Sequence, residues 1–372
     1  MTTTPVSSTL TSSQAMPPRV PGRPPLRIGR RCSGVWRPRS MLVAALGLTA
    51  TVLAMAVNIG RGEYPISVLE VLGVLVGGGE ETGRFIVLEL RLPRSLTGAL
   101  VGAAFGISGA ITQAITRNAL ASPDIIGINA GASAAAVTVI VLGGTYGAVS
   151  GFVSVVGVPV AALGGGLLTA TLIYLLAYRK GIEGYRLVLI GIGVQAVLMS
   201  LVSWLLIVAS VTDATRAVVW LNGSLNARGW EHVVPVSLAL LVLVPAALLL
   251  VFVLGALQFG DDTALGLGVR INGARTALLL VAVGLASVAV ASAGPISFVA
   301  LVAPQLAVRL VGASRPPLLA SATVGAALTV TADLIARTAF GATELPVGIV
   351  TAVLGAPFLL YLLARRNREV RV

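Results

Sequence analysis

Lysine, cysteine and histidine are almost absent from this chain of 372 residues, and only 11% of its residues are charged. The single cysteine, Cys32, excludes an intrachain disulfide and a thiolate metal cluster. The single histidine, His232, excludes a histidine-rich metal site. The single lysine, Lys180, stands before a glycine, whereas a Walker A lysine follows one and precedes Ser or Thr. The chain therefore lacks the P-loop device for binding ATP, and we expect no cofactor or metal in it.

Apolar residues make up 56% of the chain, and the mean hydropathy is +0.96. Because backbone polar groups in lipid must be satisfied within their own segment, apolar stretches of crossing length are predicted to be helices. The fold class is therefore an all-α polytopic membrane protein with about ten transmembrane helices. The predicted spans are 41–59, 95–115, 123–142, 153–177, 187–208, 233–254, 274–293, 294–311, 317–336 and 346–364.

The basic residues are distributed unequally between the two sides of this ten-span plan. Nineteen of the 26 Lys and Arg residues fall on the side that holds both termini. The positive-inside rule makes that side cytoplasmic, which predicts a multi-pass membrane protein with both termini in the cytoplasm. Anionic lipid headgroups explain the net charge of +12 better than nucleic acid does. The seven outer arginines are Arg61, Arg84, Arg91, Arg94, Arg216, Arg228 and Arg337.

Three regions follow from composition. Residues 1–40 hold seven prolines and seven arginines, which predicts a disordered basic cytoplasmic tail. A signal peptide is disfavoured because its apolar run would be unusually long. Residues 41–366 form the predicted transmembrane domain, and 367–372 a cytoplasmic C-terminus. Within the domain, the stretch at about 255–274 is the largest internal cytoplasmic loop and is too polar to span.

The predicted second helix carries glycines at small-xxx-small spacing, namely Gly98, Gly102 and Gly106, which favours close helix packing. Ionisable residues are scarce inside the predicted spans, where Asp333 is the only clear example. Ion-driven carriers often bury several carboxylates or histidines at mid-membrane. The scarcity therefore argues against a secondary transporter driven by an ion gradient, which stays the less favoured alternative.

Six blocks of the chain stand out as motifs, and they occur in a fixed order. They are LRLPRSLTGALVGAAFGISGAITQAITRNALASPDIIGINAGA (90–132), YRLVLIGIG (185–193), WLNG (220–223), DDTALGLGV (261–269), GPISFVALVAP (294–304) and ADLIARTAFGATELPVGIVTAVLGAP (332–357). In this order they resemble the FecCD-type permease family of ABC importers for iron–siderophores, haem and cobalamin. The resemblance covers roughly residues 41–366. Two departures from the family pattern are Ala119, where a proline is usual, and Gln305, where a histidine is usual.

The resemblance implies a fold like the cobalamin-importer permease, with two five-helix halves in which helices 2–5 and 7–10 correspond. It implies a non-catalytic permease subunit that moves an iron–siderophore-type metal chelate inward, with haem or cobalamin as the alternative cargo. The partners it implies are an ABC ATPase dimer, a periplasmic or lipid-anchored substrate-binding protein, and a second permease subunit, identical or homologous. Together with the bilayer, these complete the expected assembly.

By the same resemblance, the outer arginines Arg91, Arg94 and Arg337 dock acidic residues of the binding protein. Arginine suits this task because its planar fork holds a carboxylate bidentately and stays charged. The alternatives are contact with lipid headgroups or an internal ion pair, since Asp333 lies four residues before Arg337. We expect these arginines to lie exposed at outer helix ends and to support little core packing.

At the opposite face, the resemblance identifies a coupling loop that sits in a cleft of the ATPase dimer. We expect two short helices there, with apolar side chains forming the contact and glycines ending the pieces; an ordinary solvated loop is the alternative. The residues assigned to coupling are Leu257, Gly260, Asp261, Asp262, Ala264, Leu265, Leu267 and Gly268.

The loop between the fourth and fifth helices, residues 178–186, resembles the family's cytoplasmic gate. Glycines would give it hinge freedom; the alternative is a basic loop of no special role. The gate residues assigned are Gly181, Glu183 and Gly184. In the fifth helix, the pathway candidates are Gly191, Gly193 and Gln195. The amide of Gln195 either faces the pathway or hydrogen-bonds a neighbouring helix.

Overall fold

The computed structural model describes residues 25–28, 32–35, 38–62, 64–145, 157–178, 184–339 and 344–369. The chain divides into two compact units, Met1–Arg39 and Ser40–Val372. In the first unit, strands β1 (Pro25–Ile28) and β2 (Cys32–Val35) pair antiparallel, with Pro25 opposite Val35. This hairpin is the regular structure described within the tail that the composition predicts to be disordered.

The described residues of the second unit form helices joined by turns and loops, with no strand among them. A π-helical turn, Ile86–Arg91, joins α3 to α4, and a 3-10 turn, Pro123–Ile126, precedes α5. The helices are α1 (Pro38–Gly60), α2 (Val68–Leu75), α3 (Glu81–Phe85), α4 (Leu92–Thr116), α5 (Ile128–Thr145), α6 (Val158–Ala177), α7 (Gly184–Val208), α8 (Val211–Leu221), α9 (Trp230–Leu249), α10 (Val251–Leu257), α11 (Asp261–Gly266), α12 (Ile271–Ala293), α13 (Val299–Val311), α14 (Leu318–Thr338) and α15 (Val347–Glu369).

The all-α polytopic class is confirmed. Eight helical stretches in the described residues are long and apolar enough to cross a membrane: α1, α3 to α4, α6, α7, α9, α12, α14 and α15. The third and eighth expected spans, α5 and α13, are apolar but shorter. Helix α13 begins only at Val299 because Gly294 and Phe298 both have positive φ angles, +76° and +66°, which interrupt the helical backbone before it.

Helix α4 is the central packing element, and it contacts α14, α12, α13 and α9. Its glycines permit backbone-to-backbone approach, as their spacing predicts. A Cβ on Gly102 would overlap the carbonyl oxygen of Gly325, and one on Gly106 would overlap that of Ser321. On Gly109 it would overlap the carbonyl oxygen of Ala300 in α13. Small residues therefore set the distance between α4 and its neighbours.

A buried amide pair also joins α4 to α13. The Nε2 group of Gln305 donates to Oε1 of Gln113, and Nε2 of Gln113 donates to the carbonyl oxygen of Leu301 at 3.0 Å. Gln305 is one of the two positions at which the sequence departs from the family pattern that it resembles. Its amide satisfies a polar group that would otherwise be costly to bury.

Candidate functional site

At the predicted outer end of the bundle, Arg94 in the first turn of α4 is paired with two carboxylates. Its Nη2 donates to Oδ1 of Asp333 at 2.8 Å, and its Nε lies 3.2 Å from both oxygens of that carboxylate. Its Nη1 donates to Oε2 of Glu344 at 2.9 Å. The Asp333 side chain, from α14, is only 1% exposed. This fork-to-fork geometry is the strong form of an arginine–carboxylate contact.

Asn58, at the end of α1, and Arg337, at the end of α14, complete a closed ring with these three residues. The Nδ2 group of Asn58 donates to Oδ2 of Asp333 at 2.9 Å, and its Oδ1 accepts from Nη1 of Arg337 at 2.8 Å. Nε of Arg337 lies 3.6 Å from Oε1 of Glu344. We call Asn58, Arg94, Asp333, Arg337 and Glu344 the outer ring. The helical pair considered for Asp333 and Arg337 is thus wrong, because Asp333 faces Arg94 instead.

Arg91 holds a neighbouring segment rather than a carboxylate. Its Nη1 donates to the carbonyl oxygen of Ile59 and its Nη2 to that of Tyr64, both at 2.7 Å. Arg91 and Arg94 are buried, each with 8% of its surface exposed. The expectation that the predicted docking arginines lie on an open rim and support little packing is therefore wrong. The π-helical turn and the first turn of α4 place both side chains in the interior.

The three predicted docking arginines, Arg91, Arg94 and Arg337, nevertheless line one cavity of about 1030 Å³. Arg61, which follows α1 and is exposed, lines the same cavity and was not among the predicted docking residues. The sequence did indicate it as a candidate, because Arg61 is one of the seven arginines predicted on the outer side. Glu344 and Asn58 were also absent from the predicted site. Asn58 could have been found as a polar residue near the end of an otherwise apolar helix. The residues lining the cavity include Arg61, Arg91, Arg94, Arg337 and Glu344.

At the predicted cytoplasmic end, the loop assigned to coupling contains one short helix, α11, and not the two expected, because α10 ends at Leu257, where that loop begins. Gly260 and Gly268 flank α11 with φ angles of +103° and +80°, in the region that favours glycine. Leu265 and Leu267 are exposed. A partner therefore has apolar side chains to contact on this loop.

Two of the apolar residues assigned to that contact are instead packed inside the chain. Leu257 and Ala264 are buried, because each belongs to the main hydrophobic core. Phe259, between α10 and α11, is 74% exposed and had not been assigned. The exposed apolar set of this loop is therefore Phe259, Leu265 and Leu267.

Asp261, the first residue of α11, is held between two arginines. Nη2 of Arg117 and Nη2 of Arg275 each donate to its Oδ1 at 2.8 Å. Arg117 also donates to the carbonyl oxygen of Leu257 at 2.6 Å, from a backbone with φ of +50°. We call Arg117, Asp261 and Arg275 the inner clamp. It connects the ends of α4 and α12 to the coupling loop, and the sequence analysis did not identify the two arginines.

Of the predicted gate residues, Gly181 and Glu183 lie outside the described residues, and Gly184 is the first residue of α7. Gly191 is buried, whereas Gly193 and Gln195 are exposed on α7. Within the described part of the chain, the Gln195 side chain makes no hydrogen bond to a neighbouring helix. Close to the start of α7 lies a cavity of about 460 Å³ whose lining includes Tyr185, Arg117 and Arg275. The role of these residues in the gate and pathway stays a prediction.

Comparisons with known proteins identify the family and the fold. Residues 50–365 match the family model described as the FecCD transport family. The ferric enterobactin transport system permease protein FepG of Escherichia coli (strain K12) is 40% identical over 65% of this chain and 71% of its own length. The cobalamin import system permease protein BtuC of Halobacterium salinarum is 39% identical over 89% of this chain and 87% of its own length. A solved structure described as a metal-chelate type ABC transporter, in an inward-facing conformation, has a TM-score of 0.73 at 28% identity, covering 87% of this chain and 99% of that one.

Proposed function

Because the chain belongs to the FecCD transport family, we propose that it is the membrane permease subunit of an ABC importer that moves a ferric siderophore inward. The observation that carries this proposal is the shared fold, which extends over 99% of the metal-chelate type transporter. A permease that has one lysine and no Walker A motif needs a separate ATPase to supply energy. The proposed assembly therefore contains an ABC ATPase dimer, a substrate-binding protein and a second permease subunit, in a bacterial inner membrane with both termini cytoplasmic.

The arginine-lined cavity supports docking of the substrate-binding protein at the outer end. Arg61 is exposed there, and Arg94 and Arg337 present guanidinium groups held in place by the outer ring. Preorganised cations attract acidic side chains and steer association. Arg91 contributes by fixing the backbone around Ile59 and Tyr64. Binding should weaken as salt rises, because exposed charges are screened over about 8 Å at physiological ionic strength.

The coupling loop supports contact with the ATPase at the inner end. Its exposed Phe259, Leu265 and Leu267 form an apolar surface on α11 and the residues that flank it. The inner clamp joins that surface to α4, whose 25 residues span about 37 Å toward the outer ring. Closure of the ATPase dimer would therefore move a loop that is directly bonded to the central helix. Residues 181–184 and the exposed face of α7 are proposed as the gate and the pathway wall.

The test of cargo is uptake by cells that lack their own importers and express the whole transport system. We expect these cells to take up ⁵⁵Fe-labelled siderophore. Deletion of Asp261–Gly268 tests the coupling loop in the same cells. It should abolish uptake, while the binding protein still docks. Survival of transport and ATPase assembly after the deletion would contradict the coupling role. Cobalamin is the second candidate, since BtuC of Halobacterium salinarum matches the largest share of this chain among the relatives named above; ⁵⁷Co-cobalamin uptake in place of iron would establish it.

A further inference from the structure

One carboxylate of the outer ring differs from the rest in its access to solvent. The Glu344 side chain is 39% exposed, whereas those of Arg94, Asp333 and Arg337 are 10%, 1% and 11% exposed. Glu344 is also the only acidic residue among the described residues that line the cavity. A docking partner therefore reaches Glu344 more easily than any of these three ring members.

The buried part of the ring keeps its partners without Glu344. Arg94 retains Asp333, which contacts it through Nε and Nη2. Arg337 retains the Oδ1 and backbone oxygen of Asn58, at 2.8 and 3.2 Å. Loss of the Glu344 charge consequently leaves no arginine of the ring without a hydrogen-bonding partner, so this carboxylate is replaceable.

The Glu344 carboxylate also lies where an external acid would bind. It accepts from Nη1 of Arg94 at 2.9 Å and lies 3.6 Å from Nε of Arg337. A carboxylate that bridges two guanidinium groups at a cavity wall has the geometry that a docking Asp or Glu would adopt. Two carboxylates cannot share that position without repulsion.

We propose that Glu344 is an internal substitute for an acidic side chain of the substrate-binding protein. In the free permease its carboxylate occupies Arg94 and Arg337, and the partner's carboxylate displaces it on docking. This inference rests on the proposed function, since it requires docking at the arginine-lined cavity. Glu344 keeps both cations paired while no partner is bound, and its displacement opposes docking, which lets the partner leave again after delivery.

The test is the affinity of the permease–ATPase complex in nanodiscs for the substrate-binding protein of the same transport system. Glu344→Gln keeps the side-chain shape and one acceptor but removes the charge. We expect about three- to ten-fold tighter binding at low salt, with a smaller gain at high salt. The matched control is Glu80→Gln, which removes an exposed charge from the outer segment at a side chain that caps no helix. It should change the affinity much less.

Arg61→Gln separates this inference from the function on which it rests, because Arg61 is exposed and its replacement spares the ring. Weaker binding by Arg61→Gln together with unchanged or weaker binding by Glu344→Gln leaves docking in place and overturns the substitute role. Wild-type affinity for both variants at low salt overturns docking and the substitute role together. If Glu80→Gln and Glu344→Gln increase the affinity for the binding protein equally, the effect comes from the net charge of the surface, and the specific exchange at Glu344 is overturned. A last outcome concerns ferric enterobactin in the absence of the binding protein. If Glu344→Gln raises retention of this anionic chelate as much as it raises affinity for the binding protein, the chelate is the ligand of Arg94 and Arg337. That result overturns a carboxylate of the binding protein as the occupant.

Discussion

The two ends of α4 use the same arginine–carboxylate chemistry in different surroundings. At the outer end, the Arg94 and Asp333 side chains are 10% and 1% exposed. At the inner end, the Arg117 and Asp261 side chains are 44% and 46% exposed, although the N–O distance is 2.8 Å in both pairs. Equal distance does not mean equal strength, because burial removes the screening that makes surface pairs weak.

The difference assigns different tasks to the two ends. The buried part of the ring around Arg94 and Asp333 has one low-energy arrangement, since breaking that pair leaves a charge in the protein interior. In the inner clamp, the Arg117–Asp261 pair is solvated and exchanges partners at little cost, whereas the Arg275 side chain is 15% exposed. We infer that the outer ring fixes the helix ends that a docking protein meets, whereas the inner clamp follows the movement of the coupling loop.

The sharpest way to break this comparison is to remove Asp333. Asp333→Asn leaves Arg94 without its buried countercharge, and we expect about 3–5 kcal/mol of destabilisation. Thermal unfolding of the purified permease in detergent measures it. The double replacement of Arg94 by Met and Asp333 by Leu should recover much of the loss, because it removes both charges. Similar losses for the single and the double variant would mean that packing, not charge, dominates at this end.

The second prediction concerns the glycines that let α4 approach α14. Gly106→Ala places a Cβ against the backbone of Ser321, which cannot move alone, so we expect about 1–3 kcal/mol of destabilisation. The matched control is Gly193→Ala in α7, where a Cβ meets nothing within 4 Å. There the helix gains up to about 1 kcal/mol from alanine propensity. Equal stabilities of the two variants would contradict the close contact.

The smallest effect on stability is expected at the inner clamp. Asp261→Asn should cost about 1 kcal/mol, because the pair with Arg117 is solvated, while Arg275, 15% exposed, loses one carboxylate. It should nevertheless lower chelate import per ATP hydrolysed, since α11 loses its ion pairs with Arg117 and Arg275. Stability and import are measured on the same reconstituted complex, with Glu80→Gln, on an exposed side chain outside the coupling loop, as the control. A large loss of stability, or import per ATP equal to wild type, would remove the contrast between the two ends.

Sequence periodicity and length predicted the helices well, because crossing a bilayer imposes a long apolar run. The small-residue spacing around Gly102 and Gly106 likewise indicated a tight helix contact. Partners of charged residues were harder to predict: Asp333 and Arg337 have the spacing of a helical pair, yet Asp333 bonds Arg94, 239 residues away. Helix α14 turns the two side chains toward different neighbours, which depends on tertiary packing. The prediction that Arg91 and Arg94 are exposed was wrong for the same reason, because their burial depends on tertiary packing.

The coupling loop shows the same limit on a smaller scale. Its glycines at 260 and 268 marked the ends of a short helix, because local backbone geometry depends on residue type. Which leucines face outward was not local information: Leu257 is buried against the core and Leu267 is exposed. Arg117 and Arg275 were counted only as basic residues of the cytoplasmic side, since nothing in the linear sequence brings them to Asp261.

The most direct measurement of the central claim is chelate uptake into proteoliposomes that contain this permease, with ATP and an ion gradient varied independently. If the chain is an ABC importer permease, ⁵⁵Fe-siderophore should enter only when the ATPase subunit, ATP and the substrate-binding protein are all present. An ion gradient should not change the rate of uptake. Uptake driven by a gradient in the absence of the ATPase would contradict the account and establish a secondary transporter.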